Sequence, residues 1–165
     1  MSGKFRRGGT RFKPTWRWSG EVDDFIAARL KRLDGEAPRP ILHAPSGSSA
    51  LGDVTLDLDQ PATVRGDMYR MPFADESFGT IVSDPPWNLA YDERSRLNHE
   101  LARVLRDGGL LLFNAPWVPT EVLFQHDEYW LSMNRGGLDR NVSVIFVGHR
   151  RPRKNRAVCP AAAEG

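Results

Sequence analysis

Four consecutive residues, Asp84-Pro85-Pro86-Trp87, place a hydrogen-bond acceptor, a rigid turn and a stacking face side by side. They follow a short apolar run, Thr80-Ile81-Val82-Ser83, that reads as a buried strand. Proline has no N–H for a ladder and fixes its own φ, so the strand must stop at Pro85 and Pro86. In an open α/β sheet the carboxyl ends of the strands are where ligands bind. The chemistry on offer there is a carboxylate that can accept protons from a bound group and an aromatic ring that can stack on it.

A second constellation lies upstream. Ile41 to Ala44 reads as a first strand, Pro45-Ser46-Gly47-Ser48-Ser49 as a small-residue loop, and Val54 to Asp59 as a second strand ending in acids. Strand, glycine loop, strand and acid is the order used to hold a nucleoside, the terminal carboxylate accepting from the ribose hydroxyls. About ten residues separate Gly47 from Asp57, where a dinucleotide fingerprint spans about twenty. The usual helix between these strands therefore has little room, and a plain hairpin connection is the other reading of the loop.

The remaining elements must position these two groups. Ser19 to Leu33 has helical spacing, with Ser19 as N-cap and Gly35 as stop, followed by a stiff Ala37-Pro38-Arg39-Pro40 connector. Ala62 to Asp67 reads as a third strand, Asn98 to Leu105 as a helix stopped by Asp107-Gly108-Gly109, and Leu110 to Asn114 as a continuously apolar strand. Ala115-Pro116-Trp117 makes a second aromatic turn. A helix is expected from Pro119 to Gln125, then strands at Tyr129–Met133 and Asn141–Val147 around an Asn134-Arg135-Gly136-Gly137 turn. This order predicts an α/β fold with a mostly parallel sheet and an antiparallel last strand. Trp117 and Tyr129 read as core residues, with the wall of a ligand pocket as their second reading.

The chain of 165 residues is long enough for one domain with tails, and its single cysteine, Cys159, can form no intramolecular disulfide. The expectation is a protein of a reducing compartment, cytoplasmic by default, with no membrane-spanning run and no metal-ligand spacing among its four histidines. Charge is unevenly spread. Residues 1–18 carry six basic side chains and no acid, residues 149–156 carry five more, and the segment between is near −8. The boundaries expected are a basic aromatic arm at 1–18, a domain at 19–148 and a basic tail at 149–165. Arg6, Arg7 and Arg11 in the arm, with Arg150 and Arg151 in the tail, are the candidates for phosphate contact, and interleaved aromatics such as Phe12 suit unpaired bases. Solvated tails are the alternative.

From about Ile41 to Phe146 these residues resemble the class I S-adenosylmethionine-dependent methyltransferases, and within them the enzymes that methylate exocyclic base amines. Ser83-Asp84-Pro85-Pro86-Trp87 matches the (Asp/Asn/Ser)-Pro-Pro-(aromatic) motif of adenine-N6 and cytosine-N4 methyltransferases. Gly66-Asp67-Met68 with Met71 to Phe78 looks like the segment after the third strand, and Leu101 to Asn114 like the following helix and fifth strand.

The resemblance implies a Rossmann-like fold shortened in its first half, with S-adenosyl-L-methionine as cofactor and adenine-N6 of DNA as the first-choice acceptor. It implies that His43, Pro45 and Gly47 line the cofactor, that Asp57 or Asp59 holds its ribose, that Asp67 and Met68 meet its adenine, and that Asp84 borders both ligands. Asp84 and the Pro85 carbonyl would accept the two amine protons, Pro86 would stiffen the turn and Trp87 would stack on a base taken out of its helix. The chain departs from the family in its first loop, which lacks the second glycine and the usual acid, and it has no stretch long enough for a target-recognition domain. Specificity would then come from the arms or a separate subunit. A small-molecule or protein methyltransferase of the same fold, and an inactive nucleic-acid-binding accessory subunit, are the other readings.

Overall fold

Short, continuously apolar segments form the middle of this protein because a parallel strand is covered on both faces. In a computed structural model, which describes Ile26, Ala28 and residues 37–134 and 141–153, they assemble into a seven-stranded sheet. The strands are β1 (Ile41–His43), β2 (Val54–Asp57), β3 (Val64–Arg65), β4 (Phe78–Ser83), β5 (Leu105–Ala115), β6 (Phe124–Asn134) and β7 (Asn141–Arg150). One helix, α1 (Tyr91–Val104), connects β4 to β5. The spatial order is β3-β2-β1-β4-β5-β7-β6, with parallel pairing from β3 to β5 and β7 running antiparallel between β5 and β6. The predicted α/β class, parallel centre and antiparallel last strand are therefore observed.

Alternation of side chains gives the sheet two cores. Leu42, Leu56, Ile81, Leu111 and Phe113 pack on one face with Leu97, Leu101 and Val104 of α1. Ile41, Val82, Leu110, Leu112, Ile145 and Val147 pack on the other with Ile26, which is helical. Full burial of a side chain such as Ile26 contributes about 2–3 kcal/mol. The remainder of the helix expected at Ser19–Leu33, and the arm and tail outside 37–153, lie outside the described residues.

Several element boundaries differ from the sequence reading, each for a local reason. β2 stops at Asp57 instead of Asp59 because the Asp57 carboxylate accepts the Asp59 and Gln60 N–H groups, both at 2.9 Å, and turns the chain. The third strand shrinks to Val64–Arg65. Helix α1 starts at Tyr91, seven positions earlier than expected, because Glu93 accepts the Ala90 N–H at 2.7 Å and, with Asp92, complements the helix dipole. Glycines 108 and 109 do not stop a helix; they form an irregularity inside β5, so that Leu105 already pairs with Phe78 while Leu110 pairs with Thr80. The helix expected at Pro119–Gln125 is a single turn, in which the Thr120 carbonyl accepts from Leu123 and Phe124 before Phe124 enters the ladder opposite Arg150. Tyr129 is half-exposed on β6, outside the core.

Two arginines fasten the parallel half. Arg103 of α1 pairs with Glu100 and Asp75 and donates to the Met71 and Phe73 carbonyls, which ties the segment after β3 to the helix. Arg150 corrects a sequence expectation. Its guanidinium is buried at the end of β7, donates to the Leu105 carbonyl and pairs with Glu76 at 3.3 Å and Asp107 at 3.1 Å, so it is not placed to meet phosphate. Its ladder also carries β7 past the expected domain end at 148. Arg150→Ala is expected to lose about 2 kcal/mol in chemical denaturation through the stranded carbonyl and lost packing, whereas exposed Arg151→Ala changes stability by less than about 0.5 kcal/mol.

Candidate active site

The pairing of Ser83 with Phe113 puts the next residues of β4 and β5, Asp84 and Asn114, beside each other at the carboxyl edge of the sheet. Asn114 Nδ2 donates to Asp84 Oδ1 at 3.2 Å, and Trp87 Nε1 donates to the same oxygen at 3.3 Å. Asp84 is 6% exposed, Pro85 is buried, and Pro86 and Trp87 are half-buried. The prolines end the ladder and the two N–H donors fix the carboxylate, so acceptor and ring are held in one place.

Arginine–aromatic contacts frame this edge. Arg94 of α1 lies over the Trp117 ring, 5.2 Å from its centroid, and donates to the Leu89 carbonyl at 2.9 Å. Trp117 in turn meets Phe113 edge-on at 4.7 Å, in keeping with the core role expected of it. Arg96 lies over Tyr69 at 4.8 Å. The start of α1, which carries the chain away from Trp87, is thereby held toward β5 by one arginine and toward the segment after β3 by another.

The first loop is closed without a helix. Gly47, at φ +55°, donates its N–H to Asp57 Oδ2 at 2.8 Å, and Ser46 N–H reaches the Leu56 carbonyl at 3.0 Å. Asp57 thus accepts from three backbone amides and is buried, which makes it the tie between loop and strand. Asp59 is exposed. Of the two acids proposed for a ribose, Asp59 is the one turned to solvent. Pro45 is half-buried at the start of the loop. Asp67 is exposed, its Oδ1 taking the Tyr69 N–H at 2.8 Å, and Met68 packs half-buried on the core.

His43 lies on the Asp57 side of the sheet by strand alternation and is buried. Burial pushes its pKa down from 6.5 to about 4, with nearby Asp57 pulling the other way. At neutral pH it is uncharged. Arg151 is exposed and donates to the Glu121 carbonyl at 2.7 Å. Arg6, Arg7 and Arg11 lie outside the described residues. Among the described residues there is no group of His, Cys, Asp or Glu that could hold a metal, and no helix is long and apolar enough to cross a membrane.

A family model described as a methyltransferase domain matches residues 48–113. No curated protein matches. The PH0226 protein from Pyrococcus horikoshii OT3 superposes with a TM-score of 0.61 at 14% identity, covering 86% of this chain and 97% of that one. A TehB-like SAM-dependent methyltransferase from Corynebacterium glutamicum gives 0.53 at 18% identity, covering 81% and 100%. The N-methyltransferase NodS from Bradyrhizobium japonicum WM9, in complex with S-adenosyl-L-homocysteine, gives 0.57 at 15% identity, covering 81% and 91%. This is the class I methyltransferase fold.

Within that fold, the carboxyl ends of β1, β2, β4 and β5 carry His43, Asp57, Asp84 and Asn114. The first three were singled out from sequence. Asn114 was read only as the end of an apolar strand, although a polar residue closing Leu110-Leu111-Leu112-Phe113 was the signal available.

Because folded His43 binds its proton more weakly than the unfolded chain does, stability is complete above pH 6.5 and falls as the pH drops toward 4. The full loss is about 3 kcal/mol. Denaturant titrations across this range should show the fall in the parent protein and a smaller one in His43→Phe; equal slopes would contradict the assignment.

Proposed function

We propose that this protein transfers a methyl group from S-adenosylmethionine to the exocyclic amine of a nucleic-acid base, with adenine-N6 of DNA as acceptor. The observation that carries the reading is the placement of Asp84, Pro85 and Trp87 at the end of β4, with the Asp84 carboxylate held by Asn114 and Trp87. The methyltransferase-domain match and the fold support the reaction class.

The residues present fit such a methyl donor in part. Exposed Asp59 and Asp67, with half-buried Met68 next to Asp67, offer acceptors for a ribose and a surface for an adenine. Gly47 brings backbone close to that end of the sheet. When bound, the donor supplies an electrophilic methyl on a sulfonium.

The task left to the protein is to make the nucleophile. The lone pair of an aromatic amine is conjugated into its ring and reacts poorly. Asp84 and the Pro85 carbonyl, accepting one N–H each, draw the nitrogen toward a tetrahedral shape whose lone pair leaves the ring plane. Asp84 then holds the proton that the methylated nitrogen sheds. Trp87 provides the stacking face, and its indole N–H gives way at Asp84 Oδ1 as the amine arrives. A base reaches this buried carboxylate only out of its helix, and Arg6, Arg7, Arg11 and exposed Arg151 would hold the backbone.

One observation favours a second reading. Asp57 is spent on the loop, and the β1–β2 connection has no helix to face a cofactor, as in an accessory subunit that binds nucleic acid without a methyl donor. Calorimetry with S-adenosylmethionine separates the two, since the first requires binding.

Incubation with labelled methyl donor and mixed DNA and RNA, followed by digestion to nucleosides, should yield labelled N6-methyldeoxyadenosine. Asp84→Ala is expected to lower the rate by about 100-fold or more, and Trp87→Phe to retain more activity than Trp87→Ala. Label confined to protein or small molecules, or an unaffected Asp84→Ala, would refute the assignment.

A further inference from the structure

β5 is apolar and buried from Leu110 to Ala115 with a single exception, Asn114, which is 3% exposed. Leu110 and Leu112 on the same face belong to a purely apolar cluster. A leucine would satisfy that packing but would remove one N–H donor from the buried Asp84 carboxylate. Asn114 instead carries an amide whose Nδ2 is used, on Asp84 Oδ1 at 3.2 Å, and whose Oδ1 is buried with no hydrogen-bond partner. The amide orientation follows from the partner, because the Asp84 oxygen that Asn114 meets already takes the indole N–H and acts there as an acceptor. A buried acceptor left unmatched is unfavourable by roughly 1–3 kcal/mol, and most such groups in folded proteins are matched. The unmatched oxygen of Asn114 therefore asks for a donor, beside the carboxylate of Asp84.

We propose that Asn114 is the second side-chain acceptor of the amine site: its Nδ2 fixes Asp84 and its Oδ1 takes an N–H of the acceptor amine. This rests on the reading above, in which Asp84 receives that amine, and it narrows the acceptor class. With Asp84 on one proton, and Asn114 sharing the other with the Pro85 carbonyl, the site is matched to a primary amine. A singly methylated amine has one N–H and would leave Asn114 unmatched again. Transfer then stops after one methyl group. In each turnover one N–C bond forms from the nitrogen lone pair, the S–C bond of the donor breaks with its pair kept by sulfur, and one amine proton leaves by way of Asp84.

The test uses the full chain with S-adenosylmethionine and adenine-containing DNA. Parent protein, Asn114→Leu and Asn114→Ser are compared for turnover, donor affinity by calorimetry and thermal midpoint. The expected result is a turnover lower by about 10- to 100-fold in Asn114→Leu, an unchanged donor affinity and a thermal midpoint that stays well above the assay temperature. Asn114→Ser, which restores a small acceptor, should recover part of the turnover. The parent should give only the monomethylated base on prolonged incubation. Equal turnover in Asn114→Leu, or no recovery in Asn114→Ser, overturns the role of Asn114, as does accumulation of dimethylated base by the parent. A parent protein that binds the donor but methylates no base overturns the underlying function instead.

Discussion

The register of β4 against β5 is the constraint on which the site depends. With Ser83 opposite Phe113, the first residues beyond that pair are an acid and an amide, and two prolines prevent the ladder from going on. Shifting the pairing by one residue would turn Asp84 away from Asn114 and send Val82 and Leu112 to the wrong cores. Apolar burial on both faces of these strands therefore sets the chemistry at their ends. At the start of β4 the register is held by close packing, since a Cβ on Gly79 would lie 2.5 Å from the Pro38 backbone.

The first half of the sheet solves a different problem. A parallel connection from β1 to β2 normally uses a helix to return the chain and cover the sheet. Here the loop is tied down by carboxylates. Asp57 gathers three backbone N–H groups, and Asp53 accepts the Ile41 N–H at 2.8 Å and pairs with Arg39. The acid that could have faced a ribose is consumed in this way, leaving exposed Asp59 two residues further on. The neutral, buried His43 beside it brings no charge to this end of the sheet. The end of the sheet at Asp84 and Asn114 is thus firmly built, while the end at Gly47 and Asp59 is spare.

The contrast explains what was legible in the sequence. Thr80 to Trp87 could be read directly because an apolar run, an acid and two prolines act locally, and the structure preserves that order. The mostly parallel sheet with an antiparallel last strand followed from the succession of apolar segments, whereas the order of its strands came only from the structure. Asp57 and Asp59 could not be told apart, because the difference between them is set by the Gly47 amide ten positions away. Arg150 read as part of a basic tail, since nothing nearby in sequence reveals that β7 brings it against Glu76 and Asp107. The start of α1 was missed for the opposite reason: its first turns are polar and are held by Glu93, Arg94 and Arg96 and not by an apolar stripe.

The central claim is that a base amine docks on Asp84 with its ring on Trp87. The most direct measurement is a crystal structure with a non-reactive donor analogue and a short adenine-containing oligonucleotide. The account predicts one adenine out of its stack, its N6 within about 3 Å of Asp84 and its ring face on Trp87, with the indole N–H released from the carboxylate. An adenine bound elsewhere, with Trp87 Nε1 still on Asp84, would contradict it.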